Sequence, residues 1–337
     1  MRGLKPRIPE PFREILSLIK GGIFYMRQNL LRTHIFALLL LPILLGGCSL
    51  TKLTVGRTVI VYSQAGAALQ READLTLIEA SVRGNLKTFE GMLEIVPENP
   101  TLLIMTSRAF SSYAGFVEDK MEDAEIAGDT DTAADLRARA IDYYGRSRRY
   151  ALKVLSQSNK TFSEAPTVGS VVFEGALRRL KKPQVEPLFW AAYAWARGIS
   201  LQKDNPMQVI DLPRVEAMMR RVIELDETFY YGGAHLFFTV YYGDRAASIG
   251  GNPEKAMEHI KHVDRINQDR FLLSKFYLAR YYAYPQQNAA LYKEALQAVL
   301  DAPMDVYPGH EAATAIAKSR AKRWLAQADT LFDTATE

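Results

Sequence analysis

The side chains best able to engage a small molecule lie in three aromatic-rich stretches of the second half of the chain. The first carries Trp190, Tyr193 and Arg197, the second His235, Phe238, Tyr241 and Tyr242, and the third Tyr277, Arg280 and Tyr281. Indole and phenol groups are apolar bodies with a polar tip that needs a hydrogen-bond partner. Several of them on neighbouring helices therefore suit the wall of a wet or ligand-filled cavity as well as a dry core. Trp190, Tyr193 and Arg197 share a helix face by their i, i+3, i+7 spacing. Arg197 and Arg280 could each take a ligand carboxylate in a bidentate contact, or be held in a structural ion pair. His235 follows Gly232-Gly233 at an expected helix start, where it serves as a ligand contact or as a cap or core histidine.

Catalytic and metal constellations are weak by comparison. His259 and His262 stand at i, i+3 beside Glu258, which is not the His-Glu-x-x-His of a zinc site, and the spacing predicts that both face solvent. No serine stands in a nucleophile-elbow context. Neither Gly232-Gly233 nor Gly250-Gly251 precedes the Lys-Ser/Thr of a phosphate loop, so both pairs read as turns between helices. An enzyme, a metal centre and a non-covalent cofactor are accordingly not expected. The basic runs Arg146-Ser-Arg-Arg149 and Lys318-Ser-Arg-Ala-Lys-Arg323 read as solvated helix faces, the second also as a possible docking patch.

Charge is placed unevenly along the chain. Of 42 Lys and Arg and 38 Asp and Glu, seven and two respectively fall within residues 1–47, which leaves the remainder with a net charge of −1. A near-neutral remainder lacks the basic footprint that phosphate backbones require, so nucleic acid is not an expected partner. Arg27 and Arg32 precede the apolar run Ile35–Leu45. That run is too short for a membrane span of about 20 residues but suits the core of a signal peptide. It ends at Leu45-Gly46-Gly47-Cys48, and Cys48 is the only cysteine, so an internal disulfide is impossible. The tetrapeptide resembles the lipobox of bacterial lipoproteins. In that class the cysteine is acylated, with palmitate among the chains, and becomes the first mature residue. Several buried acyl chains anchor a protein stably. Ser49 rather than Asp after the cysteine implies, by the same resemblance, the inner leaflet of the outer membrane, facing the periplasm. Starting at Met26 would give a leader of conventional length, so residues 1–25 are expected to be either a spurious extension or a long n-region.

The elements that must position the aromatic groups are helices. Leu86, Phe89, Met92, Leu93 and Val96 form a half-buried stripe, stopped by Pro97-Glu-Asn-Pro100. Sustained apolar/polar alternation is absent, so strands are not expected. Helices are expected at about 102–118 and 132–157. The aromatic helices at about 188–202, 233–249 and 272–284 each precede an amphipathic one, at 212–226, 253–267 and 289–300. Val222, Val263 and Val299 fall near the ends of these second helices, 41 and 36 positions apart. Helix pairs at such a period predict an all-α, tetratricopeptide-like array, an α-solenoid whose pairs bury apolar faces by stacking. Asn252 is read as a cap with Pro253 in the first helical position. The organisation is then a signal segment at 1–47, a lipidated tether at 48–54, a helical domain at 55–305 and a C-terminal helix or tail at 306–337.

In order and context, Glu186–Ala196, Ile210–Leu225, Tyr231-Gly-Gly-Ala-His235 and Gly250-Gly-Asn-Pro-Glu-Lys-Ala256 resemble the T-component of tripartite ATP-independent periplasmic (TRAP) transporters. The likeness covers about residues 55–305, including the Pro97–Pro100 stop and the helix at 140–155. It implies a non-catalytic lipoprotein with tetratricopeptide-like repeats, trimeric in the family's studied form. It further implies docking to the periplasmic solute-binding subunit and a pore or cleft for a hydrophobic ligand, or for a carboxylate if the arginines serve. The alternative is a helical-repeat scaffold for envelope assembly that binds no small molecule.

Overall fold

The computed structural model describes residues 47–165 and 169–333. The expected signal segment lies outside the described residues apart from the backbone of Gly47, as does the side chain of Cys48. The chain divides into two compact units, 1–57 and 58–337. In the first, the described part is the opening of helix α1 (Gly47–Gln70), so the stretch 48–54 is helical, with Leu50 and Leu53 exposed.

The second unit carries the rest of α1 and is built of helices joined by turns and loops, with no strand among its described residues. Polar caps set its boundaries. Asp74 accepts from the amides of Thr76 and Leu77 to start α2 (Leu75–Ile95). Asn99 accepts from Leu102 N at 2.9 Å, with Pro100 in the first turn, to start α3 (Pro100–Ile126). Asp129 opens α4 (Thr130–Ser158) in the same way. These side chains satisfy amides that the first turn leaves unpaired. The following helices are α5 (Ser170–Arg179), α6 (Val185–Ser200), α7 (Pro206–Val209), α8 (Leu212–Asp226) and α9 (Phe229–Gly243). Asn252 caps α10 (Pro253–Asn267) as the sequence suggested, accepting from Lys255 N. Short α11 (Leu273–Leu278) runs into a π-helical turn at Ala279–Ala283, and α12 (Ala289–Asp301), α13 (Glu311–Leu325) and α14 (Ala328–Asp333) complete the chain.

Helices close in sequence pack on one another: α2 on α3, α3 on α4, α9 on α10, and α12 on α13. Helix α6 lies against both α4 and α8. One core gathers Phe189, Trp190, Trp195, Met218 and Phe238 between α6, α8 and α9. Another joins Phe110, Tyr113 and Tyr144 of α3 and α4, and a third joins Phe276, Tyr292 and Ala317 near the C-terminus.

The basic run of α13 is not a free solvated face. Arg320 Nε donates to Asp119 Oδ1 at 2.9 Å, and Arg323 donates to Asp119, Glu122 and Asp123, all on α3. The indole of Trp324 adds a bond to Glu122 at 3.1 Å. The last long helix is thereby fastened to the second long helix of this unit, a closure that stacking of sequence neighbours alone does not require. The Arg146–Arg149 run departs from expectation in part, since Arg149 is exposed as expected but Arg146 and Arg148 are not. Arg146 pairs with Glu90 and covers the Phe110 ring at 4.2 Å, while Arg148 lies 4.8 Å from the Trp195 ring centre. Guanidinium groups keep their charge while stacking on aromatic faces, which lets Arg146 and Arg148 turn inward.

Candidate functional site

The second unit holds a cavity of about 1290 Å³. Its wall draws on α1, α2, α3, α6, α9, α11 and α13, so the α13 closure sets one of its sides. Tyr193 and Arg197 from α6, Tyr230 and Tyr241 from α9, Tyr277 from α11 and Arg320 from α13 face it together.

A backbone kink brings two of the aromatic rings to the wall. Tyr230, Tyr231 and Gly232 have φ of 49°, 61° and 75° in succession. A left-handed conformation is ordinary for glycine but costs about 1–2 kcal/mol for each tyrosine. Packing repays that cost. Tyr230 meets Trp190 edge-on at 4.8 Å, and Tyr231 stacks on Phe271 at 4.5 Å and bonds His310 Nδ1 at 2.7 Å. Gly233 must lack a side chain because a Cβ there would lie 2.6 Å from the Phe189 ring. The Gly232-Gly233 pair therefore lies, as its sequence suggested, at a break between helical segments, with Tyr230, Tyr231 and Gly232 non-helical just before His235. Gly250-Gly251 forms a turn, with Gly250 at φ 94°.

The candidates from sequence are sorted by the fold into separate places. Tyr193, Arg197, Tyr241 and Tyr277 lie on the cavity wall. Trp190 and Phe238 are buried in the adjoining core. Tyr242 leaves the wall and accepts a hydrogen bond from Arg220 at 3.1 Å. Arg280 stacks on Trp324 at 3.4 Å, and Tyr281 packs against Tyr277 at 5.2 Å. His235 sits behind the wall, 3% exposed, its Nδ1 2.8 Å from His259 Nδ1. His259 and His262 are only partly exposed, not turned fully to solvent as their spacing suggested. His259 stacks on Phe238 and Tyr242, and His262 lies parallel to His235 with ring centres 4.6 Å apart.

Three of the arginines on the wall are already paired with carboxylates. Arg197 makes a two-pronged contact with Glu118, which is 5% exposed, and this carboxylate holds the guanidinium firmly charged despite its burial. Arg108 reaches Glu186 at 3.3 Å, and Arg320 is held by Asp119. Burial pushes the phenols of Tyr193 and Tyr230 up, and that of Tyr281 to about 12, so these groups stay neutral. Burial also pushes the His235 and His259 rings down to about 4, with the neighbouring histidine charges adding to it. The wall is thus largely aromatic, with Arg108, Arg197 and Arg320 paired and Lys203, Asp204, Asp244 and Arg245 also in its lining, a surface suited to enclosing mainly apolar matter. Sequence reasoning counted Tyr230 in the aromatic stretch of the second helix without choosing it as a ligand contact, and did not single out Arg108 or Arg320 as wall residues. Their places depend on the kink and on contacts across long sequence separations, which no local pattern encodes.

An all-helical domain built round an aromatic cavity is the class that fold and site define. The chain belongs to the TRAP transporter T-component family, whose model matches residues 71–332. It is also similar to an uncharacterized protein of Treponema pallidum (strain Nichols), 23% identical over 261 residues, which cover 75% of this chain and 79% of that protein. The family is one of transporter components rather than of enzymes. Among the described residues no helix is long and apolar enough to cross a membrane.

Proposed function

We propose that this protein is the accessory subunit of a TRAP-type transporter that docks the periplasmic solute-binding subunit and holds or passes a small hydrophobic ligand in its cavity. The observation that carries this reading is the aromatic cavity of about 1290 Å³. It exceeds the roughly 300–1,000 Å³ of ordinary small-molecule sites, so an extended ligand fits. Between the two ligand classes the arginines suggested, the pairing on the wall favours the apolar one. At Arg197, Arg320 or Arg108 a carboxylate would have to displace Glu118, Asp119 or Glu186, and an internal acid already in a bidentate contact, as at Arg197 and Arg320, is a strong competitor. In this reading the succession of packed helices is a tetratricopeptide-like array closed by α13. Acylated Cys48 anchors the protein to the outer membrane, and the trimer of the family's studied form is kept.

Native mass spectrometry of the full chain, released gently from mild detergent, tests the proposal. A co-purified apolar molecule, lost when Tyr193 and Tyr277 are both changed to Asp, is the expected result, together with a complex when the cognate solute-binding subunit is added. A chain that carries nothing and forms no complex at micromolar concentrations overturns it and favours the scaffold alternative.

A further inference from the structure

Behind the kink, outside the cavity wall, three of the chain's five histidines collect beside one carboxylate. Glu227 ends the stretch before α9, His235 lies beyond the kink on α9, and His259 and His262 project from α10. His235 Nε2 is 3.5 Å from Glu227 Oε2, and His262 Nδ1 is 3.8 Å from the same oxygen. The potential ligand atoms of Glu227, His235 and His262 all fall within 4.8 Å of one another. We propose that Glu227, His235 and His262 form a binding site for a divalent transition-metal ion of the Zn²⁺ type, with His259 supporting it from behind.

Geometry supports the proposal at each ligand. Donors about 2.0–2.1 Å from a tetrahedral ion lie roughly 3.3–3.5 Å apart. The two contacts to Glu227 are therefore close to the edges of such a polyhedron, and two nitrogens with one carboxylate leave a fourth position for water. His235 Nε2 is buried and has no hydrogen-bond partner, which is costly for a polar atom unless something ligates it. The tautomer also fits. If Nδ1–H of His235 donates to His259 Nδ1, the lone pair at Nε2 is free to bind a metal, and the donated hydrogen bond is the orienting contact that metal-bound imidazoles use. Nitrogen and carboxylate donors without sulfur suit Zn²⁺ and its neighbours better than Mg²⁺ or Ca²⁺, which prefer oxygen.

Two features define what must move. The rings of His235 and His262 are parallel, with 2° between their planes, so His262 has to turn for its lone pair to converge. Its side chain is 29% exposed and has room to do so. Arg265 donates to His262 Nδ1 at 2.7 Å and approaches Glu227 at 3.5 Å, placing a positive charge where the ion would sit. Its exposed side chain can swing into solvent. An ion here would join Glu227 to His235 across the left-handed residues 230–232.

The test is Zn²⁺ titration of the full chain, stripped with a chelator, by calorimetry at neutral pH, with Co²⁺ as a spectroscopic substitute. Saturable binding of one ion per chain is expected, with intense tetrahedral Co²⁺ bands in the visible. H259A should weaken affinity about 10–100-fold as an orienting group. E227Q and H262A, at partly exposed positions that should not endanger the fold, should weaken it at least as much. R265Q should tighten binding, which neither an adventitious histidine patch nor a purely structural cluster predicts. Absence of saturable binding at micromolar Zn²⁺ overturns the proposal, as does unchanged affinity in both E227Q and H262A. Neither result bears on cavity occupancy, which is read separately by the co-purified ligand.

Discussion

At the residue scale, the polar groups of the site and its surroundings are held by partners from distant parts of the chain. Glu118 and Arg197 make the clearest case, because removal of one leaves the other charged inside the protein. Loss of one member of a buried pair costs about 3–5 kcal/mol. Glu118→Ala should therefore lower the unfolding free energy by that order, read from urea transitions with unchanged slope. A loss below about 1 kcal/mol would show that water already satisfies Arg197. Glu90 makes a second prediction. Burial acts to raise its pKa, but hydrogen bonds from Lys87, Arg146 and Tyr150 outweigh it and hold the carboxyl at about 2. The folded pKa lies below the unfolded one, so the stabilisation is fully present above the unfolded carboxylate range and is lost as pH falls through about 2. The difference in stability between the unchanged chain and E90Q should be of order 1–3 kcal/mol at pH 6 and shrink steadily from pH 4.5 downward. A pH-independent difference would mean that packing rather than charge sets the effect.

At the element scale, local patterns carried much of the fold and little of the wall. Helices α8 and α10 have the bounds that their apolar spacing and prolines suggested, since an amphipathic stripe and a polar cap are written in consecutive residues. The Pro97–Pro100 stop is equally local, with Asn99 as the cap. The break at Gly232-Gly233 was legible from the glycines, but the positive φ of Tyr230 and Tyr231 before it was not, because those rings pack on Trp190 and Phe271 of other segments. The C-terminal clamp was hidden for the same reason, as Arg320 and Asp119 are 201 positions apart. Among the candidate residues, spacing placed Trp190, Tyr193 and Arg197 on one helix face. It could not tell which would turn to the cavity and which to the core beside it. Gly233 tests the element directly. Gly233→Ala drives a methyl group into the Phe189 ring, so it should cost about 1–3 kcal/mol by overpacking and also displace the tyrosines of the wall. Thermal melting reads the first effect, and loss of the co-purified ligand reads the second. A melting point within a degree of the unchanged chain would show that Phe189 gives way freely.

At the scale of the whole molecule, a transporter accessory needs an opening that its partner can cover. Val209 and Ile249 belong to the cavity lining and are themselves exposed, so the cavity reaches solvent beside them. Met207 and Ile210 flank Val209 and are 73% and 70% exposed, leaving large apolar side chains in water next to that opening. Scattered exposed residues are ordinary, but several beside a cavity mouth are the composition of an interface core. In the proposed function the partner is the solute-binding subunit, and a docked subunit there would stand where a ligand leaves or enters. Met207→Asp and Ile210→Asp together should leave stability within about 0.5 kcal/mol, since neither side chain is packed. If these residues anchor the complex, the pair should weaken it by at least tenfold, because truncated interface anchors cost about 2 kcal/mol or more each. Surface-immobilised solute-binding subunit titrated with both chains reads the difference. Equal affinity would move the docking face elsewhere on the molecule, while loss of binding with an intact ligand-filled cavity would join docking to the mouth of the cavity rather than to its wall.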